Sequence, residues 1–140
     1  MLSLREFLTA HDELQRRQAR RMGINTTDMQ ALRLLVVHGP LGPTDLARRL
    51  ELRSASVTAL LDRLETSGFI ERVRDHPDRR RVTIRALPHT ADLLFETWAP
   101  IARLMDDVGH RLTPPEQQAV RAFLDGITAA ITDGGYLRGK

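Results

Sequence analysis

The chain has 140 residues, of which 41% are hydrophobic and 28% charged, with a formal net charge of +3; this suits one folded core and argues against a disordered polyelectrolyte. The absence of cysteine excludes disulfides, thiolate metal sites, cysteine nucleophiles and thiol redox sensing. Apolar runs such as residues 34–37 fall far short of the roughly 20 residues of a membrane span, so a cytoplasmic protein with no membrane association is expected.

Leu4, Phe7, Leu8, His11 and Leu14 recur at helical spacing, Arg16, Arg17, Arg20 and Arg21 follow, and Gly23 ends the pattern. Residues 25–28 offer several N-cap oxygens ahead of a second helix bearing Met29, Leu32, Leu35 and Val36, which stops at Gly39 and Pro40. Leu41 and Gly42 leave room for only a short strand. Pro43 suits the first position of a two-turn helix with Leu46, Ala47 and Leu50 facing inward. Another helix follows over residues 54–67, burying Val57, Leu60, Leu61 and Leu64 and showing Ala55, Thr58, Ala59, Asp62 and Arg63 on its opposite face; Gly68 ends it.

Residues 69–74 and 82–86 are short extended runs rich in Ile, Val and Thr, which predicts a hairpin with a basic tip. Six arginines against two acids give residues 72–85 a net +4, whereas residues 87–133 carry three arginines against seven acids, a net −4. One region is suited to a polyanion and the other is not. All basic residues except Lys140 are arginine, whose planar fork matches phosphate and guanine, although a coding bias toward arginine fits the same count. Pro88 opens a long helical stretch, and Thr113-Pro114-Pro115-Glu116 caps a final helix with Val120, Phe123, Leu124, Ile127 and Ile131 on one side. Pro100 predicts a kink or split at residues 96–100.

Two short helices joined by a tight turn and followed by a two-stranded ribbon make a winged helix-turn-helix, whose second helix enters the major groove of double-stranded DNA. Arg53, Ser54, Ser56, Thr58 and Arg63 are the candidates to read or grip the duplex there; the plainer alternative is that Ser54 caps the helix while Thr58 and Arg63 face water. Arg74, Arg79, Arg80 and Arg81 form the basic wing, and clustered like charge on a turn calls for an anion. Asp78 beside them is read as holding one arginine in its working rotamer.

Gly39-Pro40-Leu41, Asp45-Leu46-Ala47 through Leu50, Val57-Thr58 through Asp62-Arg63-Leu64-Glu65, Ser67-Gly68-Phe69-Ile70-Glu71-Arg72 and Asp78-Arg79-Arg80 together resemble the MarR family, the multiple-antibiotic-resistance regulators. The resemblance covers most of the chain and implies a mainly α fold with a small β wing: a winged helix-turn-helix flanked by N- and C-terminal dimerisation helices. It implies that Asp78 orients Arg80, that Arg79 or Arg80 probes the minor groove, and that the helix from Ser54 reads the operator. Three positions depart from the family pattern. Arg53 stands where a small capping residue is usual, so Ser54 is expected to cap one residue late. Ala59 replaces a frequent basic residue, which shifts the load to Arg53, Arg63 and the wing. The usual Leu-Thr-x-x-Gly start of the helix after the wing reads Ala86-Leu87-Pro88-His89-Thr90.

The expected organisation is a DNA-binding region at residues 25–87 between dimerisation segments at 1–24 and 88–140, all in a single intertwined domain. The apolar stripes of the terminal helices exceed what a small winged-helix core can bury, which points to a homodimer on a palindromic operator; the alternative is a compact monomer with those helices folded onto their own chain. The resemblance further implies release of DNA by a small, often aromatic or anionic, effector, for which His11, Arg33, His38, Phe95 and Trp98 are the candidate lining; each also fits a packing role. No metal site is expected, His76 with Asp75 and Asp78 being at most adventitious. No cofactor is expected, and no nucleophile-base pair, phosphate loop or metal triad suggests an enzyme. The competing function is a non-specific architectural DNA-binding protein, against which the acidic C-terminal half argues.

Overall fold

The computed structural model describes residues 2–74 and 82–132; Asp75, His76, Asp78, Arg79, Arg80 and Arg81 lie outside them. The chain forms two compact units, residues 1–97 and 98–140. The first contains α1 (Leu2–Arg21), α2 (Thr26–His38), α3 (Pro43–Leu50), α4 (Ser54–Thr66), β1 (Ile70–Val73), β2 (Thr83–Ala86) and the start of α5 (Pro88–Gly109). The second contains the rest of α5 and α6 (Pro114–Thr132).

Local chemistry accounts for most boundaries in the first unit. Asn25 caps α2, its side chain accepting from the Asp28 N–H at 2.8 Å, and Pro43 occupies the first turn of α3, where a missing N–H costs nothing. Gly68 takes φ +73° after α4, and the chain turns so that the Phe69 N–H reaches the Leu64 carbonyl at 3.0 Å.

The core of this unit joins Leu32 and Leu35 of α2, Leu46 of α3, Val57, Leu60, Leu61 and Leu64 of α4, Ile70 of β1 and Ile84 of β2, none more than 2% exposed. Each such side chain contributes about 1.5–3 kcal/mol by leaving water. The apolar stripes of α3 and α4 thus pack on α2 and on one face of the ribbon. The strands are antiparallel, with Ile70 opposite Ala86 and Val73 opposite Thr83. The expected strand at residues 41–42 is a single bridge, the Leu41 N–H donating to the Ile84 carbonyl at 3.0 Å and the Ile84 N–H returning to Leu41 at 2.8 Å.

Two sequence expectations are corrected. The split at residues 96–100 does not occur, because α5 runs unbroken past Pro100; a proline removes one bond from the ladder, and the flanking turns retain theirs. Ser54 does not cap α4. Glu51 closes α3 in the left-handed conformation, with φ 54°, and the chain leaves that turn with Arg53 extended as the N-cap residue, so Ser54 is already helical.

In the second unit, Thr113 and Glu116 build the cap of α6: both the Thr113 N–H and its hydroxyl donate to Glu116 Oε2 at 2.7 Å. No residue of α6 is buried, and Val120, Phe123, Leu124 and Ile131 are exposed. Among the described residues, no helix is long and apolar enough to cross a membrane.

Candidate nucleic-acid interface

The α3-turn-α4 pair is held in shape from beneath by Leu46, Leu60 and Leu64, each no more than 1% exposed. The Leu52 N–H donates to the Ala47 carbonyl at 2.9 Å, which closes the turn after the left-handed Glu51. With Val57, Leu60, Leu61 and Leu64 turned inward, the helical period leaves Ser54, Ala55, Ser56, Thr58, Ala59, Asp62 and Arg63 on the solvent side, and all are exposed. The Thr58 hydroxyl donates to the Ser54 carbonyl at 3.1 Å. Its oxygen lone pairs still point outward as acceptors. Arg53 makes no side-chain cap bond, so the first N–H groups of α4 are left for water or an anion.

Charged side chains further along α4 have partners within the protein. Arg63 lays its guanidinium on Asp28 of α2, with Nη2 2.7 Å from Oδ1 and Nε 3.2 Å from Oδ2. This hydrogen bonding and charge raise the Arg63 pKa still further above its ordinary value. Arg72 of β1 reaches back to α4, where Nη2 donates to Asp62 at 2.6 Å and Nη1 to Glu65. Hydrogen bonding to Asp62 is the main cause of a raised Arg72 pKa. Within the ribbon, Arg85 pairs with Glu71, its register partner on the facing strand, at 2.8 Å. The ribbon is therefore fixed to α4 at its base, and Arg74, just past the end of β1, is exposed.

The structure places Arg53, Ser54, Ser56, Thr58 and Arg63 on the exposed side of one helix or at its start, with Arg74 exposed just past the end of β1. The other wing candidates, Asp78, Arg79, Arg80 and Arg81, lie outside the described residues. Sequence reasoning missed Asp28 and the Arg72 partners, because the residues of each pair are 35, 10 and 7 positions apart. The one local signal was an acid in the first turn of α2.

Of the effector candidates, Arg33 and His38 line one open cavity of about 400 Å³ beside α2, together with Leu34, Val37, Arg49 and Glu51. Burial lowers the Arg33 pKa. Its Nη2 donates to Oε1 of buried Gln18 at 2.9 Å, and the Gln18 amide donates to the Thr97 carbonyl at 3.2 Å, so one side chain of α1 bridges α2 and α5. His11 does not line that cavity; it sits with Gln15 at 2.9 Å and near the ring of Phe7. Phe95 is 71% exposed, and Trp98 belongs to the second unit. Among the described residues, no group of three or more His, Asp or Glu is placed to hold a metal ion.

Comparison with known proteins agrees with this geometry. The family model described as MarR matches residues 24–82. The HTH-type transcriptional regulator YkoM of Bacillus subtilis is 38% identical over 108 residues, covering 77% of this chain and 70% of that protein. A MarR family protein from Bacillus stearothermophilus superposes with a TM-score of 0.78 at 24% identity over 92% of this chain and 90% of the other. A mutant of MepR from S. aureus, solved bound to an oligodeoxyribonucleotide, superposes with a TM-score of 0.66 at 20% identity over 94% and 98% of the two chains. The chain belongs to the MarR family of DNA-binding transcriptional regulators.

Proposed function

We propose that the chain acts as a homodimeric, sequence-specific repressor that reads a palindromic operator in double-stranded DNA and is released by a small molecule. The observation that carries this reading is the exposed strip of Ser54, Ala55, Ser56, Thr58 and Ala59 on a helix packed firmly from behind. Short side chains let the α4 backbone approach base edges in a groove about 12 Å wide, and hydroxyls can both donate and accept there. The uncapped start of α4 and Arg53 would meet phosphate, as would Arg74 and Arg81 of the wing, while Arg79 and Arg80 would enter the adjacent minor groove with Asp78 orienting Arg80.

Dimerisation is supported by the apolar side chains that each unit leaves in solvent. Leu2, Phe7 and Leu8 are exposed on α1, and Leu104, Val108, Phe123 and Ile131 on α5 and α6. Exposed apolar surface of this extent marks an interaction surface, and α1, α5 and α6 supply it. The effector would use Arg33 and His38, with His11, Phe95 and Trp98 as further lining if the dimer brings them together.

Selection of a random duplex library on the purified protein at near-physiological salt tests the reading. Enrichment of an inverted repeat with half-site centres about 34 Å apart is the expected result. Salt-sensitive binding with no enriched sequence would replace it with an architectural role.

A further inference from the structure

Asp28 is 3% exposed, yet it is ionisable and sits in the first turn of α2 at the foot of the core. A buried carboxylate without a partner is strongly unfavourable, and a bidentate guanidinium is the group best shaped to offset it. Arg63 supplies that group from α4, while its side chain remains 51% exposed. The two ends of the pair are therefore unequal: the acid is fixed inside the protein and the arginine is drawn back onto it. Two bonds in one plane resist rotation more than one bond does, so the contact constrains the roll of α4 about its own axis. One residue further back, Asp62 is held by Arg72 of β1, a second tether on the same turn of α4.

We infer that Asp28 is a positioning residue for sequence readout and that Arg63 holds the reading helix in register instead of gripping the nucleic acid. This rests on the reading that α4 enters the major groove. Thr58 is five residues before Arg63, about 7.5 Å along the axis, and Ser54 and Ser56 lie farther still. Because a rigid helix turns as one body, a small roll at Arg63 misdirects every hydroxyl on the reading strip. Non-specific binding, which depends on phosphate contacts elsewhere, is untouched by it.

The test compares an operator duplex with a scrambled duplex of equal length across a salt series, for the full chain and for Asp28→Asn, Arg63→Gln, Arg63→Lys and the double variant Asp28→Asn with Arg63→Gln. Binding is measured at a temperature where melting curves show each variant folded. If Asp28 positions α4, each single variant lowers the operator-to-scrambled affinity ratio by about tenfold with the salt slope unchanged. Arg63→Lys then behaves like Arg63→Gln, because lysine lacks the fork, and the double variant is no worse than either single one. If Arg63 grips phosphate, Arg63→Gln weakens both duplexes and reduces the salt slope by about one, Arg63→Lys stays near the parent, and Asp28→Asn binds as well or better. That pattern overturns the inference and leaves the repressor reading standing. Should Asp28→Asn not fold, the contrast between Arg63→Lys and Arg63→Gln decides the matter by itself. A parent protein that does not distinguish the two duplexes overturns the repressor reading and the positioning role together.

Discussion

The hydroxyl of Thr90 donates to the carbonyl oxygen of Phe69 at 2.7 Å, fastening the first turn of α5 to the residue just before β1. Thr90 is fully buried, and the same carbonyl also receives the Leu87 N–H at 3.0 Å. The long helix and the wing therefore share one acceptor. Thr90→Val keeps the shape and removes the donor while Leu87 still satisfies Phe69. A loss of about 0.5–1.5 kcal/mol is expected, read as a lower urea midpoint at constant slope. An unchanged midpoint would show that the bond adds nothing.

Glu51 holds φ 54° between α3 and α4, a left-handed conformation that a β-carbon disfavours by roughly 1–2 kcal/mol. Its side chain is exposed, so the residue is kept there against its own backbone preference. Glu51→Gly relieves the strain at some cost in unfolded-chain entropy and should raise stability by about 0.5–1 kcal/mol. Denaturant unfolding that shows a decrease would mean that the carboxylate makes a compensating contact.

Hydrogen bonds from the Thr113 hydroxyl and backbone hold the Glu116 carboxyl below the usual carboxylate range. A group whose pKa is lowered by folding adds stability that is present above its unfolded value and lost as pH falls through the folded one. The start of α6 should therefore loosen on acidification below about pH 4. Glu13, lowered by its bonds to Arg17 and Arg16, works in the same direction, so the informative quantity is the difference between parent and Glu116→Gln. Melting temperatures measured from neutral to acid pH should converge for the two proteins; a constant gap would dismiss the ionised cap.

Arg80→Ala should weaken operator binding by about tenfold or more while sedimentation shows the dimer intact. Under the proposal that Asp78 orients Arg80, Asp78→Ala should weaken it too, although it removes a negative charge near DNA. Tighter binding by Asp78→Ala would reduce that acid to a source of repulsion.

Much of the fold was legible because its determinants lie within a turn of each other. Asn25, Pro43 and Gly68 act on their own backbone or on the next few residues, and the spacing of Val57, Leu60, Leu61 and Leu64 alone decides which side of α4 faces out. The runs rich in Ile, Val and Thr likewise marked the two strands that pair as a hairpin. Local rules were weaker where several competed. Arg53 became the N-cap in place of Ser54 because the turn after Glu51 had already set the direction of the chain, and Pro100 stayed inside α5 because the neighbouring turns retain their own hydrogen bonds.

The sequence by itself thus determined the order and type of the elements, the inward faces of α3 and α4, and the family. Only the tertiary structure decided which polar groups are paired: Arg63 with Asp28, Arg72 with Asp62 and Glu65, Arg33 with Gln18, and Thr90 with the Phe69 carbonyl. Periodicity and capping act over three or four residues, but these partners are between 7 and 35 residues apart. Such pairs meet only after the core has packed, since burying the apolar faces of α2, α3 and α4 carries the polar groups at their edges into reach of one another.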